Sequence, residues 1–114
     1  MEDCIFCQII AGKMPSEVVY EDDKVYAFKD IKPAAPVHIL LIPRKHIATF
    51  NDLDAEDGEL MSHMPLVLKK LAADHGLAEK GYRILVNCGS DGGQVVYHLH
   101  YHLLGGRPLG GLLP

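Results

Sequence analysis

Residues 95–106 read VVYHLHYHLLGG and place His98, His100 and His102 at alternate positions, with Leu99 and Tyr101 between them. Side chains of an extended chain alternate between faces, so residues two apart share one. The three imidazoles therefore line one face of a strand, and Tyr97, Leu99, Tyr101 and Leu103 take the other. Packing gains nothing from three polar rings side by side, and their desolvation must be offset by specific partners. Two chemistries meet that condition: a metal site, or a nucleophile with its supporting groups.

Outward from this stretch, short strands alternate with two helices. HILLIP at 38–43 is apolar without alternation, as expected of a central strand covered on both faces, and Pro43 closes it. EVVYED (17–22) and KVYAFKD (24–30) flank an acidic turn at Asp22 and Asp23 and read as a hairpin, followed by the Pro-punctuated loop IKPAAPVH (31–38). CIFCQIIAG (4–12) makes a short helix stopped by Gly12. From Asp54, a candidate N-cap, the residues Leu60, Met61, Met64, Leu68 and Leu71 recur with helical spacing, with a kink expected at Pro65 and an end at Gly76. YRILVNCG (82–89) and VYHLHYHLLGG (96–106) add two strands around the loop GSDGGQ. The expected fold is α+β: one domain over residues 1–114, with a mainly antiparallel sheet of about five strands, one long helix and one short one.

At 114 residues and 48% apolar content, the chain can bury one core and is too short for two. A formal charge of -4 without a basic run argues against a protein that holds nucleic acid by neutralising phosphates, so any nucleotide partner is small. No apolar stretch approaches the roughly 20 residues of a membrane span. The start MEDCIFCQII is acidic and unlike a signal peptide, so a cytoplasmic location is expected. Cys4, Cys7 and Cys88 are too few for a disulfide scaffold and read as reduced thiols or metal ligands.

Cys4 and Cys7, two residues apart, form half of a tetrahedral zinc site, with a redox pair or two buried thiols as the alternatives. A zinc needs two more ligands, for which the histidines are candidates. If one of the trio is used, two remain for catalysis. NCGSDGGQ (87–94) carries three glycines, whose backbone N–H groups can approach phosphate oxygens closely; a plain turn is the other reading.

Taken together, DIKPAAPVHILLIPRKHI, GYRILVNCGSDGGQ and HLHYHLL resemble, in the same order along the chain, the blocks of the histidine triad (HIT) superfamily and its Hint branch of purine nucleoside phosphoramidases. The resemblance covers nearly the whole chain. It implies a homodimer whose sheets pair across the interface, binding a purine nucleotide beside the triad. It makes His100 the nucleophile that forms a nucleotidyl-histidine, with His98, His102 and His38 in support. It assigns Asp30 to the ribose hydroxyls, Asn87, Gly93, Gln94 and Val95 to the phosphate region, and Ile5, Phe6, Phe28 and Ile31 to the base pocket. In members that carry a metal, the matching ligands are Cys4, Cys7, His46 and His98, which implies one structural zinc per chain. His63 and His75 match nothing functional and are expected to be solvated.

Two positions depart from the branch. Residue 95 is Val where many members have a serine that donates a hydrogen bond, and the tail GGRPLGGLLP lacks a bulky aromatic. Both bear on the leaving-group side of the site. The expected activity is hydrolysis of nucleoside 5'-phosphoramidates; the alternatives are a dinucleoside polyphosphate hydrolase and a non-catalytic nucleotide- and zinc-binding regulator.

Overall fold

The apolar run of the third predicted strand forms β3 (Val37–Pro43), the middle strand of five in the computed structural model, which describes residues 3–111. The others are β1 (Val18–Glu21), β2 (Val25–Lys29), β4 (Tyr82–Val86) and β5 (Tyr101–Gly105), with helices α1 (Ile5–Ile10) and α2 (Gly58–Asp74). The sheet order is β1-β2-β3-β5-β4, and every neighbouring pair is antiparallel. The α+β fold read from the sequence is present. The last three residues of the tail considered above, 112–114, lie outside the described residues.

Strand alternation divides the core in two. Val25 and Ala27 of β2, Ile39 and Leu41 of β3 and Leu103 of β5 pack with Met64, Val67, Leu68 and Leu71 of α2. The intervening residues Tyr26, Phe28, Leu40 and Ile42 face the other way and pack with Cys4, Phe6 and Ile9 on and beside α1. β3 is buried on both faces, which is why its sequence lacks alternation. The α1 face is where the histidines lie.

The helix boundaries follow local chemistry. The chain turns beyond α1 at Gly12 and beyond α2 at Gly76, with φ of 78° and 74° that other residues rarely adopt. Asp54 caps a short 3-10 turn, Ala55–Asp57, which leads into α2; its carboxylate accepts from the amide of Glu56. α2 continues through Pro65 on its exposed side.

Three expectations are corrected. The last strand starts at Tyr101, not Val96, because the amide of Leu99 donates to the carbonyl of Ile47 beyond β3 instead of entering the β4 ladder. His63 is only partly exposed and is paired: its Nε2 lies 2.7 Å from Oδ2 of Asp22. Burial alone would raise the Asp22 carboxyl, but hydrogen bonds from His63, the amides of Lys24 and Val25, and the Tyr20 hydroxyl hold it well below the usual carboxylate range. The hairpin turn is thereby clamped to α2. His75 is tied to the helix end, with Nδ1 at 2.8 Å from the carbonyl of Leu71. Among the described residues, no helix is long and apolar enough to cross a membrane.

Candidate functional site

β5 lies between β3 and β4, with His102 opposite Leu40 on one side and Leu85 on the other. This register puts His102 on the α1 face beside His38, and their ring centroids are 5.2 Å apart. Upstream of the strand the chain bends at residues 96–98, yet His98 and His100 also lie on the α1 side, both packed edge-on against Phe6. Their rings part company, however. His98 is fully buried and turns toward the N-terminal segment, whereas His100 and His102 line a cavity.

His98 meets Cys4, Cys7 and His46, whose potential ligand atoms all lie within 4.8 Å of one another. Nδ1 of His98 is 3.3 Å from Sγ of Cys4, 3.5 Å from Sγ of Cys7 and 3.2 Å from Nδ1 of His46; His46 is 3.4 Å from Cys7. Zn–N bonds of about 2.0–2.1 Å and Zn–S bonds of about 2.3 Å at tetrahedral angles give ligand–ligand edges of roughly 3.3–3.8 Å. The observed spacings match such edges. Nε2–H of His98 donates to the carbonyl of Pro43 at 2.8 Å, which leaves Nδ1 with its lone pair toward the cluster. Burial pushes His98 down to about 4 and, with Cys4 adjacent, pushes the Cys7 thiol up. Burial thus favours the neutral imidazole and thiol, and a dication bound here would take the imidazole lone pairs and stabilise thiolates that are otherwise costly. The donor set fits a closed, structural metal site.

On the cavity side, Nδ1–H of His100 donates to the carbonyl of His98 at 2.8 Å, so Nε2 carries the free lone pair. Phe6 of α1 packs edge-on against this ring with centroids 5.1 Å apart. Burial lowers His100 and His38 below the ordinary imidazole value, partly offset at His100 by the bond to His98 and at both by Asp30. Burial, then the neighbouring His100 and His38, push His102 down to about 4. At all three rings the shift favours the neutral form. Asp30 is positioned by the amide of Lys32, which donates to Oδ1 at 2.8 Å, and its Oδ2 lies 3.5 Å from Nε2 of His38.

The cavity measures about 720 Å³, within the range of small-molecule sites. Of the residues expected there, Ile5, Phe6, Phe28, Asp30, Ile31, Asn87, Gly93, Val95, His100 and His102 line it. Gln94 does not. Its side chain is buried and spent on the loop itself, accepting from the amide of Gly89 and donating to the carbonyls of Ala48 and Val96. Gly92 is also a loop requirement, since a Cβ there would fall 2.5 Å from the carbonyl oxygen of Cys88. His38 stands behind His102 as its hydrogen-bond partner at 2.9 Å. Sequence reading missed Ile9, Lys29, Lys32, Leu40, Val96 and the Met14–Ser16 turn, which complete the wall. The turn after Gly12 was a signal for the last of these.

The family model of the HIT domain matches residues 11–109. The chain belongs to the HIT domain family. This HIT protein is 52% identical to the purine nucleoside phosphoramidase of Escherichia coli (strain K12), over 98% of this chain and 94% of that one. A HIT family hydrolase from Legionella pneumophila Philadelphia 1 superposes with a TM-score of 0.93 at 52% identity, covering 95% of this chain and 96% of the other. A zinc-bound histidine triad family protein from Mycobacterium smegmatis superposes with a TM-score of 0.79 at 31% identity, covering 93% and 76%.

The electrostatics of the pair behind the cavity can be checked directly. In a ring-resonance NMR titration, His102 is expected to stay neutral from about pH 8 to about pH 5 and to protonate near 4, the position to which burial pushes it. A midpoint at the ordinary value of about 6.5 would contradict the placement of this ring.

Proposed function

We propose that this HIT protein hydrolyses purine nucleoside 5'-phosphoramidates through a nucleotidyl intermediate on His100. The observation that carries the reading is the hydrogen bond from Nδ1–H of His100 to the carbonyl of His98, which leaves Nε2 as a nucleophile at the cavity. The substrate class is suggested by the phosphoramidase relative.

In this reading the apolar end of the cavity, with Ile5, Phe6, Phe28 and Ile31, takes the base. The Asp30 carboxylate accepts from the ribose hydroxyls, and Asn87, Gly93 and His102 surround the phosphoryl group. Nε2 of His100 attacks phosphorus; the P–Nε2 bond forms as the P–N bond to the amine breaks, and the amine leaves with the electron pair and takes up a proton. Attack makes the imidazole cationic, so the bond to the His98 carbonyl strengthens as the reaction proceeds. Water then attacks phosphorus, the P–Nε2 bond breaks with its electrons returning to His100, and the mononucleotide departs. Val95 is 86% exposed at the cavity and donates no hydrogen bond, so the proton for the amine comes from solvent or a histidine.

The metal in the reading is zinc, one per chain, held by Cys4, Cys7, His46 and His98. It would supply a cross-link between the N-terminal segment and the chain entering β5. Three free cysteines suit a reducing compartment such as the cytoplasm. A homodimer is supported by β4, an edge strand whose Tyr82 and Ile84 remain exposed.

Three measurements follow from this reading. His100→Asn is expected to lower kcat on an adenosine phosphoramidate by about a thousandfold or more while leaving the Kd for AMP within about threefold, because Asn fills the space without a nucleophilic lone pair. Comparable turnover by that variant sinks the assignment, and activity confined to diadenosine polyphosphate would move the protein to the other hydrolase class. Metal analysis of protein purified without chelator should find about one zinc per chain, and Cys4→Ser with Cys7→Ser should lower thermal stability more than the rate per folded molecule. Metal-free, fully stable protein would return the cysteines to buried thiols. Sedimentation at micromolar concentration should give a dimer; a monomer would remove the proposed pairing of β4 edges.

A further inference from the structure

The hydrogen bonds around His38 decide which nitrogen of each ring carries the proton. The amide of Ala34 donates to Nδ1 of His38 over 3.0 Å, so that nitrogen offers its lone pair and the proton sits on Nε2. Nε2 in turn lies 2.9 Å from Nδ1 of His102. Since His38 donates in this contact, His102 accepts, and its own proton is forced onto Nε2. Oδ2 of Asp30, 3.5 Å from Nε2 of His38, favours the same arrangement. Nε2 of His102 is the one buried side-chain nitrogen or oxygen without a protein partner among the described residues, and its ring lines the cavity.

Ala34 is gripped from its other side. Nη2 of Arg107 donates to the Ala34 carbonyl over 2.9 Å. Arg107 belongs to the tail after β5, which comes against the Pro-rich loop at Gly106. A Cβ on Gly106 would lie 2.8 Å from Cβ of Pro36, and its φ of 97° also favours glycine. The carbonyl and the amide of Ala34 flank one Cα, so a guanidinium that fixes the carbonyl restricts rotation of this residue and holds its N–H on Nδ1 of His38.

We infer that Arg107 is a positioning residue, which holds the His38–His102 pair through the backbone of Ala34 in the single tautomeric arrangement that makes Nε2–H of His102 a donor to an anionic phosphoryl oxygen. The opposite arrangement would set a lone pair against that oxygen, two acceptors facing one another. The inference rests on the proposed function for the identity of the acceptor, whereas the tautomers belong to the ligand-free chain.

The test combines a spectroscopic and a kinetic arm. Two-bond proton–nitrogen correlation spectra of the labelled imidazoles should show His38 and His102 both protonated at Nε2 in the ligand-free protein. In Arg107→Met, the Nδ1 resonance of His38 should move toward that of a free acceptor. The kcat on an adenosine phosphoramidate should fall about three- to tenfold with KM within about twofold, the pattern of a lost interaction that matters in the transition state. Arg107→Lys retains a donor and should recover most of the loss. An Nδ1 proton on either ring in the wild type overturns the inference, as does an Arg107→Met protein with unchanged nitrogen shifts and unchanged kcat. A fall in kcat matched by a fall in folded fraction, with unchanged shifts in the folded molecules, also overturns it by reducing Arg107 to a stabilising contact. A wild-type chain that hydrolyses no phosphoramidate defeats the proposed function alone, and the nitrogen spectra then decide the relay.

Discussion

The register of β5 between β3 and β4 is the constraint on which the site depends. With ladder partners on both edges, Leu40 and Leu85 opposite His102, the strand has no freedom to slide. Leu103, fully buried against α2, anchors the same register from the opposite face. A slip of one residue would carry Leu103 into the cavity face and His102 into the apolar core, where an imidazole has no partner. Burial on the α2 side therefore sets the geometry on the α1 side. The segment that carries the upstream histidines is tied to the chain after β3 by the Leu99 amide.

The cysteine–histidine cluster joins this frame to α1. Cys4 precedes the helix and accepts from the amide of Cys7, so the two thiols and the first helical turn form one unit. Phe6 lies between them in sequence and packs edge-on to Phe28, His98 and His100. Whatever holds the cluster also holds this ring against the candidate nucleophile. In the proposed reading, a metal that takes no part in bond breaking still shapes the cavity, because it fixes the helix that supplies part of the wall.

Much of this was legible in the residues because two periodicities were unambiguous. HLHYH alternates, and although the ladder begins only at Tyr101 and the chain bends at residues 96–98, His98 and His100 still meet Phe6 on the α1 side. HILLIP announces a strand with two covered faces, and β3 has them. The family blocks then pointed to the residues that line the cavity. What was hidden depends on partners distant in sequence. Gln94 sits among expected phosphate contacts, yet its amide is consumed by backbone groups of the loop and Ala48. His63 looks like a surface residue of a helix until the Asp22 turn is brought against it. Ile9 and Leu40 are apolar in either role, so nothing in their identity separates core from cavity wall. The link from Arg107 to His38 runs through the backbone carbonyl and amide of Ala34, which side-chain identity does not encode.

The central claim is that Nε2 of His100 forms a bond to phosphorus, and the most direct measurement is mass analysis of the chain after rapid acid-free quenching during turnover of an adenosine phosphoramidate. The expected result is a population heavier by one nucleotidyl group, localised by peptide mapping to His100 and disappearing as substrate is exhausted. Sustained turnover with the group on another residue, or with no covalent nucleotide at any time despite trapping faster than the turnover itself, would contradict it.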